Sequence, residues 1–446
     1  MFYLFLSRTT ITPIGFDSVF KVRVSSGLQV KRFFPDQNVP GASSDSSGRI
    51  LSSVMPDTCL AVEIDHRIGG VPYDLDKNGH RLKDVDPTVY FQTALLYTNS
   101  FGRRRLRVST LALQTASKMI QIYDSINFDV VAAFMTRQAV SDFVSNGEDG
   151  ILVNVRQRIS DRCFGILANY ISCCGVQLAA MNALTIPERM KLLPLVCMGL
   201  KKSRMFRQSI STNASRTCRP SPSADERAYH ILYSSNVSPS MAVLNLYPSL
   251  YNVTTLCANA GEEVTFKPPS RLFSCGSEED IKFHMASIAP YIQLPPTIRS
   301  SISAINDEGI YLLDDGFTFS LLIGKDVSLD VRAEILSIES NCYDQDIQNM
   351  ERRIQVSNSD YGIRMKNIRS QLRKCYQTNL VPVCSRHVYS PMNVILSRGG
   401  PGFRVTIDDT LESEFLKLLI EDTSETDVSY TEFLLDLERR ISNAVR

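Results

Sequence analysis

No CxxC pair occurs anywhere in these 446 residues, although eleven cysteines do. That excludes a zinc ribbon, and no metal site is expected. The cysteines lack paired spacing, which in a chain of this length fits a reducing compartment better than a disulfide framework. Adjacent Cys173 and Cys174 cannot bridge to each other without strain and are read as small packing residues. Histidine is scarce: His66, His80, His230, His284 and His387 stand far apart and make no local ligand pair. A Walker loop, a dinucleotide fingerprint, HExxH and a nucleophile elbow are all missing. The apolar start, MFYLFL, is too short to span a bilayer and lacks the basic flank and cleavage site of a signal peptide. It is read as a strand. Net charge is nearly absent at +1, so composition offers no steering toward nucleic acid. A chain with no reactive cluster reads as an interaction protein and not as an enzyme, although fold alone does not settle that.

What is present is ordinary soluble-protein material, 43% apolar and 21% charged. The length allows two to four domains. The reading is a multi-domain α+β chain: a β-sandwich over 1–113, read as incomplete, an all-α helical domain over 114–245, an unplaced connection over 246–290, a gelsolin-like α/β domain over 291–410, and C-terminal helices over 411–446. Phe16, Val19, Val22 and Val24 with Leu28 and Val30 mark one strand pair, and Cys59–Ile64 another strand. Residues 35–57 read as a loop, and 65–87 as a second polar segment with turn signals at Gly69-Gly70 and Asn78-Gly79.

Helical periodicity begins near residue 115. Val130, Phe134 and Phe143 form one stripe; Ile151, Val155, Ile159, Cys163, Ile166 and Tyr170 form a stronger one. Pro187 suits the first turn of a further helix through Leu193 and Val196, which Pro194 would bend. Residues 208–223 read as a linker and helix resumes near Asp225. In the α/β part, Ile310–Leu313 and Phe317–Ile323 flank a tight turn at Asp314-Asp315-Gly316; a calcium loop is the weaker reading there. Residues 328–340 and 360–376 read as helices, Val381–Val383 and Val394–Leu396 as strands. Thr410 caps a predicted helix carrying Leu411, Phe415, Leu418 and Leu419. Ser429 and Glu432 form a capping box for a last one, with Phe433, Leu437 and Ile441 inward and Arg439 and Arg440 at its end. The basic run Lys201–Arg207 and the acids between Asp408 and Glu438, Glu421, Asp422 and Glu425 among them, read as solvated faces.

Residues 91–113, FQTALLYTNSFGRRRLRVSTLAL, are the most informative stretch. Two alternating runs flank Asn99-Ser100-Phe101-Gly102, which predicts an antiparallel hairpin. Arg103, Arg104, Arg105 and Arg107 sit at the turn and along one face of the outgoing strand. They are either a solvated strand face or a surface for acidic lipid or an acidic partner.

This hairpin resembles the sandwich domain of the cargo-adaptor subunit of the COPII vesicle coat, in its F-Q-x-A-L-L-Y-T, basic turn and R-R-x-R-V order. The similarity continues through GFDSVFKVRVSSGL (15–28), LLPLVCMGLKKSRMFR (192–207), DERAYHIL (225–232), LYPSLYNV (246–253), DEGIYLLDDGFTFSLLIGKDV (307–327) and LLIEDTSETDVSYTEFLLDLERRI (418–441). The resemblance implies a non-catalytic adaptor that selects export cargo for endoplasmic reticulum-to-Golgi transport by binding signals in cargo tails. It implies a cytoplasmic protein, peripheral on the endoplasmic reticulum membrane and coat vesicles. Its partners would be the GTPase-activating coat subunit, membrane cargo tails, the anionic membrane surface and, indirectly, the coat-recruiting small GTPase. Arg103, Arg104, Arg105 and Arg107 would then face lipid, and Leu60, after Pro56-Asp57, would wall a cargo-signal pocket. The other reading of Leu60 is a buried strand residue. No cofactor is implied, since the family's zinc ribbon has no counterpart here. The family's trunk also has none, so a fragment, a split gene model or a divergent paralogue is expected. Two alternatives stand beside this one. The GTPase-activating sister subunit would need an activator segment that the region around Gly399, Gly400 and Arg404 does not reproduce, and a gelsolin-like actin binder would explain only 295–396.

Overall fold

A computed structural model describes residues 14–35, 48–55, 58–68, 71–72, 87–116, 118–145, 151–174, 186–208, 222–256, 259–264, 291–317, 319–324, 326–328, 360–376, 392–396, 415–416, 418–424 and 427–445. They fall into two compact units, 1–247 with 420–446, and 248–419.

The first unit opens with strands β1 (Gly15–Val24), β2 (Leu28–Phe34), β3 (Gly48–Val54), β4 (Ala61–Ile68), β5 (Val71–Pro72), β6 (Thr88–Thr98) and β7 (Arg104–Gln114). They form a four-stranded sheet ordered β3-β1-β6-β7 and a three-stranded sheet ordered β2-β4-β5. The expected pairing of β1 with β2 is corrected. The two strands lie in different sheets, and their Val22 and Val30 meet with Phe33 in the apolar layer between them. Alternation alone cannot separate a hairpin partner from a facing strand, because both bury every second residue. Phe16 and Val19, two of the residues that mark the strand in the sequence, are exposed. A bulge between Phe16 and Val19, with Asp17 at φ 49°, shifts the register there.

Residues 35–57 are not all loop: β3 pairs along β1 from Gly15↔Val54 to Lys21↔Gly48. Its GRILSSV sequence offers few apolar residues, and the backbone ladder carries it. The polar segment 65–87 also begins in strand, since β4 runs to Ile68 and turns directly into β5 through the Ile68↔Val71 pair.

Helices follow: α1 (Met119–Ser125), α2 (Phe128–Ser145), α3 (Ile151–Cys174), α4 (Leu193–Lys202), α5 (Ala224–Asn236) and α6 (Pro239–Leu246). The α3 stripe holds for Val155, Ile159 and Cys163 and then runs through Leu167 and Ile171, with Ile166 and Tyr170 packed at its margin. On α2 the buried face is small, Ala132, Met135 and Ala139, and Val130 is exposed. Alanines let helices approach closely, which a search for large apolar residues overlooks. Pro194 does not bend a long helix. Pro187 precedes a single 3₁₀ turn, Glu188–Met190, and Pro194 lies in the first turn of a new helix, where a missing N–H costs nothing. Gly199 on α4 fits against the end of α6, where a Cβ would stand 2.0 Å from the Leu246 carbonyl oxygen. Cys173 is exposed, contrary to the packing role expected of it.

The last helix, α8 (Tyr430–Val445), returns to this core through Phe433, Leu437 and Ile441. Its capping box forms as predicted. The Ser429 N–H donates to Glu432 Oε2 at 2.8 Å, and the Glu432 N–H donates to Ser429 Oγ at 3.3 Å. Arg439 and Arg440 are not in its last turn, because the helix continues to Val445. Arg440 instead pairs with Asp161 on α3 at 2.6 Å.

The second unit is built on a five-stranded sheet. Its strands are β8 (Ser249–Asn252), β11 (Thr297–Ile298), β12 (Ile310–Asp314), β13 (Phe319–Ile323) and β14 (Met392–Leu396), with β9 (Glu263–Val264) and β10 (Tyr291–Ile292) paired separately. β8 thus comes from the stretch that the sequence left unplaced. Helix α7 (Asp360–Tyr376) buries Met365, Ile368 and Leu372 against one apolar layer with Leu312 and Leu321. Phe415 and Leu419 complete another with Tyr311 and Leu313. The Asp314-Asp315-Gly316 turn is held by its own carboxylates, which accept the Gly316 and Phe317 N–H groups at 3.0 and 2.8 Å. The predicted elements at MFYLFL, 329–340, Val381–Val383 and Thr410–Leu411, and the linker read over 209–221, lie outside the described residues.

Candidate functional site

The predicted hairpin forms. β6 and β7 pair over eleven residues each, from Thr88↔Gln114 to Thr98↔Arg104. Alternation puts Arg105 opposite Tyr97 and Arg107 opposite Leu95 on one face. Leu106 opposite Leu96 and Val108 opposite Ala94 share the other. β7 is a sheet edge and every residue of it is exposed. Contrary to expectation, the four arginines do not share one face: Arg104, opposite Thr98, alternates to the face away from Arg105 and Arg107. Arg104 reaches back to the β1 bulge, with Nη1 at 2.8 Å from Asp17 Oδ2, 2.7 Å from the Asp17 carbonyl and 2.9 Å from Thr98 Oγ1. Arg103, Arg105 and Arg107 have no carboxylate partner among the described residues. Three cations therefore stand at one end of an edge strand whose other end, Ser109–Gln114, carries no charge.

Leu60 is half-buried, between its two sequence readings. It stands just before β4, and its neighbours are tied to the helices. The Cys59 N–H donates to the Asn236 carbonyl at 3.2 Å, and Arg137 of α2, itself buried, donates to the carbonyls of Ser235, Val237 and Cys59 at 3.0, 2.8 and 3.4 Å. Arg137 has no sequence signature as a clamp; only its burial in the fold reveals it. Leu60 and the arginine hairpin both belong to the first unit.

The charged runs expected on solvated faces are corrected as well. Lys202 and Arg207 are buried, as is Glu421, which accepts the Tyr247 hydroxyl at 3.0 Å. Arg156 on α3 donates to the Lys201 carbonyl at 2.6 Å and pairs with Asp427, both side chains nearly fully buried. Burial pulls the Lys201 ammonium below its ordinary value, offset in part by Asp427. Burial, reinforced by Arg204 and Arg207, lowers His230 to about 3. Burial raises Asp314 to about 7, against the Gly316 hydrogen bond and with the Asp315 charge. Glu425 and Arg404 lie outside the described residues. Among those residues no three metal-ligating side chains gather, and no helix is long and apolar enough to cross a membrane.

The strand block and the helical block each match a known domain. Residues 15–116 match the Sec23/Sec24 beta-sandwich domain and residues 127–244 the Sec23/Sec24 helical domain. These are the domains of the Sec23/Sec24 family. The chain is 25% identical over 429 residues to protein transport protein SEC24 C of Arabidopsis thaliana, covering 96% of this chain and 31% of that protein. It is 23% identical to human protein transport protein Sec24A, over 98% of this chain and 33% of the relative. The crystal structure of the human COPII-coat protein Sec24c superposes with a TM-score of 0.68 at 22% identity, over 100% of this chain and 48% of that one. The chain thus spans about a third of the length of these relatives and about half of the solved Sec24c chain. The α+β architecture expected from the sequence is that of Sec24c.

Proposed function

We propose that this Sec23/Sec24-domain chain works as a cargo adaptor of the COPII coat, selecting export cargo for endoplasmic reticulum-to-Golgi transport by holding signals in cargo tails. The observation that carries this is colinearity: 96% of the chain aligns with a protein transport protein SEC24, and its sandwich and helical domains follow in the family's order. The role is one of binding, and no catalytic step is assigned to it. Its partners are cargo tails, the GTPase-activating coat subunit and, through that subunit, the coat-recruiting small GTPase. Its place is peripheral, on the cytoplasmic face of the endoplasmic reticulum and on coat vesicles. Leu60, half-buried and backed by the Arg137 clamp, is the cargo-contact candidate, and Arg103, Arg105 and Arg107 face the anionic membrane. Each such cation adds on the order of 1 kcal/mol near an anionic surface.

The test is flotation of the full chain on phosphatidylserine vesicles with and without a tethered cargo tail. Binding should rise with the tail, weaken with salt, and fall when Arg103, Arg105 and Arg107 become glutamate. Binding indifferent to the tail would sink the adaptor reading; indifference to both salt and charge reversal would sink the membrane-facing assignment.

A further inference from the structure

Phe101 is 86% exposed, more than any other large apolar side chain among the described residues. It is fixed there. Asn99 Oδ1 accepts the N–H groups of Phe101 and Arg103 at 3.1 and 2.9 Å. The Gly102 N–H closes on the Asn99 carbonyl at 2.9 Å, and the Asn99 N–H donates to the Arg103 carbonyl at the same distance. Gly102 sits at φ 77°, a conformation that glycine adopts without strain. The turn is therefore saturated with hydrogen bonds, and the ring stands at its apex. Directly behind the ring come Arg103, Arg105 and Arg107, exposed and without carboxylate partners among the described residues. Arg104 is committed to Asp17 and braces the strand ends next to the turn.

A protein partner would need a fitted pocket to gain from a convex aromatic tip. A lipid headgroup layer needs none: it accepts an aromatic body at its interface and draws cations to its anionic phosphates. We propose that the β6–β7 tip inserts the Phe101 ring into the headgroup region of an anionic bilayer, with Arg103, Arg105 and Arg107 on the surrounding lipid phosphates. This rests on the membrane-facing reading of the hairpin given above and adds to it a penetrating residue.

The chain contains no tryptophan, so Phe101→Trp places a single reporter at the tip of the full-length protein. With vesicles of phosphatidylserine and phosphatidylcholine its emission should shift to the blue and be quenched by brominated acyl chains. With phosphatidylcholine alone neither should occur. Phe101→Ser should keep the wild-type melting temperature, since the side chain packs on nothing, and lose on the order of tenfold in vesicle affinity, the loss expected when a partly buried aromatic is removed. If Phe101→Trp floats with vesicles but shows neither shift nor quenching, insertion is overturned while the membrane-facing reading stands. If the wild-type chain does not float at all, both fail. A blue shift produced by polyglutamate and not by vesicles would overturn the lipid assignment in favour of an acidic protein.

Discussion

Lys202, the last residue of α4, donates its ammonium to the carbonyl of Ile420 at 2.7 Å, across 218 residues of sequence. It also donates to the Asp422 carbonyl. The acidic tail is thus wound around the C-terminal end of α4. Arg156 reaches the same helix end, donating to the Lys201 carbonyl, and then turns to Asp427. Cations at a helix C-terminus are favoured by its exposed carbonyls. A basic run and an acidic run that look like two solvated faces are one buried junction, and α8 is docked through it.

Removing either partner should therefore be costly. Asp427→Asn leaves Arg156 buried without its counter-charge, and breaking a buried pair costs about 3–5 kcal/mol. Lys202→Met keeps the stem and strands buried carbonyls, at about 1–3 kcal/mol. Urea denaturation followed by circular dichroism should place Asp427→Asn lowest in midpoint, then Lys202→Met, then the parent. Unchanged midpoints in both variants would mean that the tail is not docked.

The two units should respond to pH in opposite senses. His230 has a folded-state value of about 3 against an ordinary 6.5, so the unfolded chain binds the proton first. Its contribution is complete above pH 6.5 and is lost as pH falls toward about 3. Asp314 runs the other way, with a folded value of about 7 against an ordinary 3.8. Its contribution is complete below pH 3.8 and is lost as pH rises through about 7. Its Oδ2 is buried without a hydrogen-bond partner, which fits a carboxyl that resists ionising. Melting curves from pH 4 to 9 should show His230→Gln flattening the acid limb and Asp314→Asn flattening the alkaline one. Parallel profiles for parent and variants would refute both assignments.

Periodicity was legible where large apolar residues repeat at regular spacing or where a turn or cap is written in consecutive residues. The α3 stripe, the hairpin and the Ser429–Glu432 capping box all follow from local spacing. What stayed hidden depends on distant chain. β3 exists because β1 offers it a ladder, and α2 packs through alanines that carry little apolar signal. Whether β1 pairs with β2 or faces it is a property of the sandwich and not of either strand. The site divides the same way. The arginines and the turn that presents Phe101 are written in consecutive residues, whereas the Arg137 clamp behind Cys59 joins segments 78 residues apart.

Arg104 should separate from its neighbours. It braces the Asp17 bulge, while Arg105 and Arg107 stand without partners among the described residues. Arg105→Ala or Arg107→Ala should lower affinity for phosphatidylserine vesicles several-fold and leave the melting temperature alone. Arg104→Ala should weaken vesicle binding less. Because its ion pair is exposed, the stability cost should stay under about 1 kcal/mol. Equal losses of vesicle affinity for all three would mean that the Asp17 contact does not hold Arg104 away from lipid.

Leu60→Trp tests the cargo-contact candidate. Leu60 is half-buried, so part of its side chain faces outward from a segment pinned by the Cys59 N–H to Asn236 and by Arg137 to the Cys59 carbonyl. The pinning leaves little room for the backbone to move aside for a larger side chain, and if Leu60 lines the cargo site the added indole should obstruct an extended peptide there. Overpacking at a partly open position costs about 1–3 kcal/mol at most, so the sandwich should remain folded. Binding of a fluorescent cargo-tail peptide, measured by anisotropy, should fall at least tenfold in Leu60→Trp and stay near the parent value in Leu60→Met, which conserves volume. Arg137→Met should weaken the same peptide while also lowering the melting temperature, because it frees carbonyls that Arg137 now satisfies. Full peptide affinity in Leu60→Trp, with the domain still folded by circular dichroism, would remove Leu60 from the cargo site and leave it a packing residue before β4 only.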